Sequence, residues 1–321
     1  MTIKTSTGKI GLVGCGMVGM SFAYSLIQSG LATELVLIDI DHARAEGEAL
    51  DLNHGMSFVR PVKVYAADYA ALSDADIVVV CAGANQNPGE TRLDLLKKNL
   101  AVFNGLIPQI NAVNNDAVIL IATNPVDILT YATARHIVGD PRRVLGSGTL
   151  LDTARFRYNL GAHYGVDTRS VHAYIVGEHG DSEVPLWSSA NIGSVSLRQF
   201  IGPNGQGYDE EKLNQLFLRT RDAAYEIIKR KKATYYAIGL SLLTIVEAIM
   251  RDHHSVLTVS SLLTNQLGVS DVALSLPTIV GRGGMIKVLD APMTSAEIDG
   301  FRHSANVLKT NWQNINSSQS A

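Results

Sequence analysis

Five short apolar runs, Lys9–Val13, Glu34–Ile38, Val62–Tyr65, Ile77–Cys81 and Ala117–Ile121, alternate with longer stretches of helical period such as Met17–Gln28 and Ala43–Gly55. Apolar runs of this length set between helices predict parallel strands covered on both faces. The expected class is therefore α/β, a Rossmann-type doubly wound parallel sheet followed by a mixed α+β part. In that second part Asp152–Leu160 and Asp209–Lys229 read as helices, Val171–Val176 as a strand and Gly202–Gly207 as a turn. Gly-Ser-Gly-Thr at 146–149 interrupts the pattern, which divides the chain into domains 1–147 and 148–321. The polar tail Asn311–Ala321 is expected to fray.

Composition excludes several classes. With 46% apolar and 18% charged residues the chain is neither disordered nor low-complexity. A net charge of −3 lacks the basic excess that a nucleic-acid partner needs. The most apolar stretch, Ile238–Met250, is too short to span a bilayer and carries Glu247, so it reads as a core helix. The two cysteines, Cys15 and Cys81, sit in predicted buried segments and read as free thiols in a reducing cytoplasm. Met1–Gly8 carries no secretory pattern. A cytoplasmic location is the expectation.

Gly14-Cys15-Gly16-Met17-Val18-Gly19 follows a predicted strand and opens a helix, the setting that a dinucleotide fingerprint requires. The helix start then offers free N–H groups and a favourable dipole to a diphosphate. The glycines alone are a weak signal. Asp39, twenty residues past Gly19 at the end of the second strand, strengthens it: a carboxylate there bonds both ribose hydroxyls and repels a 2′-phosphate. NAD, rather than NADP, is the expected cofactor. Arg44, five residues on and inside a helix, faces the adenosine side or solvent. Cys15 reads as a small packing residue.

Ala84–Arg92, Ala-Asn-Gln-Asn-Pro-Gly-Glu-Thr-Arg, places the neutral amide Gln86 six residues ahead of Arg92 on a loop punctuated by Pro88 and Gly89. Such a loop can close over a small polar substrate and offers it one fixed positive charge. His179 lies in the glycine-flanked segment Gly177-Glu178-His179-Gly180-Asp181. A lone histidine is most often structural, but Asp152 and Arg155, three apart on one helix face, can share a pocket with it. Asp152 would fix one tautomer and stabilise the charged ring, while Arg155 would grip a carboxylate through paired hydrogen bonds.

Together these segments, with Ala122–Asp127, Gly146–Arg157 and Ala233–Gly239, resemble the lactate/malate dehydrogenase family, and within it the bacterial NAD-dependent L-lactate dehydrogenases. The resemblance runs from about Lys9 to about Trp312 and implies the following roles. His179 is the proton donor and acceptor and Asp152 its partner. Arg155 anchors the substrate carboxylate, Arg92 polarises the carbonyl, and Asn124 bonds the reacting oxygen and the nicotinamide side. Thr234 lines the pocket, and Gln86 selects the substrate. Gly14, Gly16, Val18, Gly19, Asp39, Arg44, Tyr69, Gly83, Ala84, Ala122, Asn124 and Ser147 belong to the cofactor site, with Gly83 and Gly89 as hinges of the loop. No metal is implied. The homotetramer usual in the family is the expected assembly.

A malate dehydrogenase of this family carries arginine where Gln86 stands. Oxaloacetate bound here would bury its second carboxylate against an amide, at a cost of about 3–5 kcal/mol, or several hundred-fold or more in preference. Pyruvate presents only a methyl group, so pyruvate and L-lactate are the expected substrates. An enzyme for another 2-oxo acid is the nearest rival. A catalytically silent scaffold is a rival of another class, one with little reason to keep Arg92, Asn124, Asp152, Arg155 and His179 together.

Arg157, two residues past Arg155, points to another side of its helix. In relatives activated by fructose 1,6-bisphosphate an arginine and a histidine at the positions of Arg157 and His172 hold the effector across a subunit interface. The resemblance thus implies that effector here, against the plainer reading of an ion pair and a packed contact. One departure stands out: Lys229-Arg230-Lys231-Lys232 lacks the glycine that bacterial relatives carry just after the lysine, which bears on the local turn and on the placement of Thr234.

Overall fold

The structure, a computed structural model, describes residues 6–84 and 90–319, apart from the side chains of Arg92 and of residues 316–319. The first half alternates strand and helix: β1 (Lys9–Val13), α1 (Met17–Ser29), β2 (Glu34–Ile38), α2 (His42–His54), β3 (Lys63–Ala66), β4 (Ile77–Val80), α3 (Arg92–Val113), β5 (Val118–Ile121), α4 (Val126–His136) and β6 (Val144–Gly146). These strands pair in parallel in the order β3-β2-β1-β4-β5-β6. Every residue of β1, β4 and β5 is buried, because helices cover both faces. Burying a Val, Leu or Ile side chain contributes about 1.5–3 kcal/mol, so these runs fasten the centre of the sheet between its helix layers.

The second half opens with α5 (Leu150–Tyr164), then short strands β7 (Val171–His172), β8 (Ile175–Val176), β9 (Val184–Pro185), β10 (Asn191–Ile192) and β11 (Val195–Ser196). Helices α6 (Glu210–Arg221), α7 (Ala223–Lys231) and α8 (Tyr236–Met250) follow, then β12 (Ser255–Gln266), β13 (Val269–Gly281), β14 (Gly284–Val288) and the closing helix α9 (Ser295–Gln319). Strand β12 pairs antiparallel with β6, and β13 and β14 continue outward, so among the described residues the main sheet has nine strands and runs unbroken across residue 147.

Three expectations change. Val171–Val176 is two strands in different sheets: β7 pairs with β10 and β8 with β9, with Tyr174 between them accepting from Leu186 N. Asp209–Lys229 is broken at Asp222, which ends α6 and precedes α7. The polar tail does not fray through residue 319, since α9 stays helical to Gln319. Its buried residues Phe301, Ala305, Leu308 and Ile315 recur at helical spacing and fasten the helix to the core. Ile238–Met250 lies within α8, and among the described residues no helix is long and apolar enough to cross a membrane.

Candidate active site

The carboxyl ends of β1, β4, β5 and β6 meet where the strand order reverses between β1 and β4, the place where open α/β sheets take ligands. Gly14 has φ of 101°, and a Cβ there would lie 2.4 Å from Ala82 N. A Cβ on Gly19 would lie 2.1 Å from the Gly14 carbonyl oxygen. Both glycines are therefore demanded by the protein itself. Gly16 is different: a Cβ there meets nothing within 4 Å. It is also the N-cap of α1 and supplies no side-chain acceptor, so the first-turn N–H groups are left for a ligand anion. This geometry fits a dinucleotide pyrophosphate.

Asp39 turns back onto the same loop. Its Oδ2 accepts Cys15 N at 2.7 Å and its Oδ1 accepts Asp41 N at 3.0 Å. Cys15 is buried, and burial together with the Asp39 charge pushes its thiol up to about 12, so it stays protonated and packs. Cys81 is pushed up equally by burial. Arg44 lies in the first turn of α2, its N–H bound by Asp41 Oδ1. Tyr69 is partly buried, and burial and Asp39 raise its hydroxyl pKa. Ala122 N donates to Val80 O, and Ser147 N to Ile121 O, which seats both at the strand ends. Gly83 is held close, since a Cβ would lie 2.4 Å from Thr123 Cγ2.

The second cluster forms across α5 and the segment after β8. His179 Nδ1 lies 2.6 Å from Asp152 Oδ2, and Arg155 Nη1 donates to Asp152 Oδ1 at 2.9 Å. Asp152 is only 2% exposed. Burial works against its charge, but His179 and Arg155 outweigh it and hold the carboxyl below its usual value. Burial likewise works against a charged His179, yet Asp152, followed by Asp127 and Glu183, lifts it to about 9. The ring is thus an imidazolium at neutral pH, with its Nδ1 proton fixed. Glu183, buried beside this group, is pushed up to about 9 by burial and then by the Asp152 charge.

Three elements pin the histidine segment. Gly177 and Ser275 of β13 exchange backbone hydrogen bonds, Glu178 N donates to Ser304 Oγ of α9, and His179 N donates to Asp127 Oδ2 of α4.

Family models for the NAD-binding domain and for the alpha/beta C-terminal domain of lactate/malate dehydrogenases match residues 8–146 and 149–319. The chain belongs to the lactate/malate dehydrogenase family. An L-lactate dehydrogenase of Acetivibrio thermocellus is 52% identical over 302 residues, 94% of this chain and 95% of that protein. One of Priestia megaterium is 50% identical over 305 residues, with 94% and 95% covered. The crystal structure of a minor L-lactate dehydrogenase from Enterococcus mundtii in a ligand-bound form superposes with a TM-score of 0.92 at 42% identity, covering 96% and 98% of the two chains.

Membership in the lactate/malate dehydrogenase family agrees with the glycine loop, and NAD is the cofactor. Gly14, Gly16 and Gly19 form the cradle, and Asp39 stands at its rim with acceptor capacity for a ribose. The two ends of the expected substrate loop are differently visible. Gln86 and Gly89 lie outside the described residues. Arg92 opens α3, where Thr91 and Asp94 form a reciprocal capping box that fixes the helix start.

Two residues escaped the sequence reading. Asn99 of α3 is 1% exposed; its Oδ1 accepts Ala84 N and its Nδ2 donates to Asn124 O, both at 2.7 Å. Asp127 is the other. A buried amide and a buried acid inside helices break the apolar pattern, and that was the signal that could have found them.

Thr234 lies partly buried in the connector before α8, and among the described residues no hydrogen bond joins it to the His179 group. The residue before Ala233 and Thr234, Lys232, ends α7 with φ of 71°, the left-handed conformation that glycine takes without strain. Arg157 is drawn away from His179: its Nε donates to Ala173 O at 2.9 Å and its guanidinium lies 4.9 Å from the Tyr174 ring centre. Ala173 follows His172, which is exposed at the end of β7. Among the described residues no carboxylate pairs with Arg157.

Proposed function

We propose that this chain is an L-lactate dehydrogenase that moves a hydride reversibly between NADH and pyruvate, with His179 as proton donor and acceptor. The carrying observation is the 2.6 Å contact between His179 Nδ1 and Asp152 Oδ2, with Arg155 on the other oxygen of the same carboxylate. Because Asp152 occupies Nδ1, Nε2 is the nitrogen left to exchange a proton with a substrate oxygen. Bound NADH supplies the hydride. As negative charge grows on the carbonyl oxygen of pyruvate, the imidazolium delivers its proton there, and in the reverse direction the neutral ring takes it back.

Arg155 spends one N–H on Asp152 and keeps further donors for the substrate carboxylate. Asn124, with its carbonyl tied to Asn99, offers its amide to the reacting oxygen. Arg92 stabilises the same oxygen once water is excluded, by its matching position in the sequence.

The choice of pyruvate rests on Gln86 and on the similarity to the L-lactate dehydrogenases of Acetivibrio thermocellus and Priestia megaterium. Following NADH absorbance with pyruvate and with oxaloacetate tests it directly. Faster loss with oxaloacetate would overturn the substrate, and loss with neither would leave only the silent scaffold. The variant Gln86→Arg should move preference toward oxaloacetate while proton transfer at His179 persists.

The reading extends to regulation and assembly. Fructose 1,6-bisphosphate activates by bringing its phosphates to Arg157 and His172 across an interface of a cytoplasmic homotetramer. Supporting it, Arg157 bonds the residue next to His172 and has no carboxylate partner among the described residues. An unchanged pyruvate affinity on adding the sugar bisphosphate, across about pH 5.5 to 7.5 where histidine titrates, would sink it.

A further inference from the structure

Asp127 is a buried acid that none of the roles above uses. It stands in the first turn of α4, three residues past Asn124, and is 2% exposed. Its Oδ2 accepts the backbone N–H of His179 at 2.7 Å, although 52 residues separate the two in sequence. Helix α4 is buried along Val126–Ala134, so Asp127 cannot shift without moving that helix. Asn124 is fixed at the same end through Asn99.

We propose that Asp127 is a positioning residue: it sets where His179 stands relative to Asn124, and so fixes the site at which a substrate oxygen meets both. This rests on the catalytic reading of His179 and Asn124. The contact has a geometric and an electrostatic consequence. Without an acceptor for His179 N, the segment keeps its ties to Ser275 and Ser304 but loses the one nearest the ring. Above about pH 7, where burial lets Asp127 ionise, removing its charge takes away one of the carboxylates supporting the imidazolium. The groups facing His179 are Asp152 from α5, Asp127 from α4 and Glu183 from its own segment; those facing Asp127 are His179 and Glu178.

The test compares Asp127→Ala, which removes acceptor and charge, with Asp127→Asn, which keeps an acceptor and removes the charge. With pyruvate and NADH, Asp127→Ala should lose about 10²-fold in kcat, the scale of a small misplacement of a reacting group, with the KM for NADH retained. Asp127→Asn should recover most of kcat. In both, the pH at which His179 becomes reactive toward diethylpyrocarbonate, read by peptide mass spectrometry, should move down from wild type. A merely structural role would lower Tm and leave kcat per folded molecule and the His179 profile unmoved, and that result overturns the proposal. If Asp127→Ala does not fold, Asp127→Asn decides by its profile. Modification needs no substrate, so failure of the catalytic reading, seen as wild-type protein inactive on pyruvate, is distinguishable from failure of this one.

Discussion

Asn99 ties together the segments that follow β4 and β5, its Nδ2 donating to the Asn124 backbone carbonyl while its Oδ1 accepts the Ala84 N–H. Replacing it with leucine, of similar volume, leaves both backbone groups without a partner in a buried setting. At about 1–3 kcal/mol for each orphaned group, Asn99→Leu should lower stability by roughly 2–6 kcal/mol. The KM for NADH should rise more than kcat falls, because the loop at Ala84 loses its anchor. Chemical denaturation and steady-state kinetics check the two halves separately.

Stability should fall as pH rises from about 5 to about 9. Asp127 and Glu183 keep their protons in the folded chain to about 7 and about 9, whereas unfolded carboxyl groups release them near 4. His179 is raised to about 9, so its contribution is complete below the unfolded value of about 6.5 and disappears as pH passes through 9. Asp152 has the opposite sign: held low, it contributes above the unfolded value and is lost only on strong acidification. Thermal melts should therefore peak near pH 5, and a Tm that climbs toward pH 9 contradicts the assignment. Reduction of pyruvate should fall over the upper end of the same window, as His179 gives up its proton.

Much of this site was legible because its chemistry is local in sequence. Asp152 and Arg155 share a helix turn, and β1 and β2 match the expected runs to the residue because both faces are buried. The sequence reading does not find strands β12 and β13: they bury Thr258, Ser260, Ser261, Ser275 and Thr278, residue types that look solvent-facing in a sequence. Of these, Ser275 Oγ accepts Thr149 N, across 126 positions. The break at Asp222 carries no glycine or proline to announce it. Asn99 and Asp127 mark themselves only by breaking the apolar pattern of their helices, and the distant backbone groups they hold, Asn124 O and His179 N, are not in that pattern. Conversely, the selecting role proposed for Gln86 rests on side-chain charge at a position outside the described residues, so the sequence alone carries it.

Lys232 occupies a left-handed position that favours glycine. Lys232→Gly should therefore raise stability by about 1 kcal/mol, seen as a higher Tm. The neighbouring Lys231 ammonium lies 3.6 Å from the Tyr235 ring centre and 4.2 Å from that of Tyr236, which brackets the connector containing Thr234 independently of Lys232. The KM for pyruvate should consequently stay at the wild-type value. A changed KM would mean that the lysine in this turn displaces Thr234.

Asp39 serves two ends at once, and its variants should separate them. Its Oδ2 accepts Cys15 N inside the glycine loop, while its charge, on the expectation that it faces the ribose, would repel a 2′-phosphate. Asp39→Asn keeps an acceptor for Cys15 N and removes the charge, so NADH should still bind. Preference for NADH over NADPH should shrink by about 10²-fold, since a like-charge contact costs several kcal/mol and about 1.4 kcal/mol is tenfold. Asp39→Ala also frees the loop, and both cofactors should then bind more weakly. Titration of each variant by protein fluorescence with NADH and NADPH reads this out. If Asp39→Asn still discriminates by the wild-type margin, the phosphate is excluded by the shape of the crevice and not by this carboxylate.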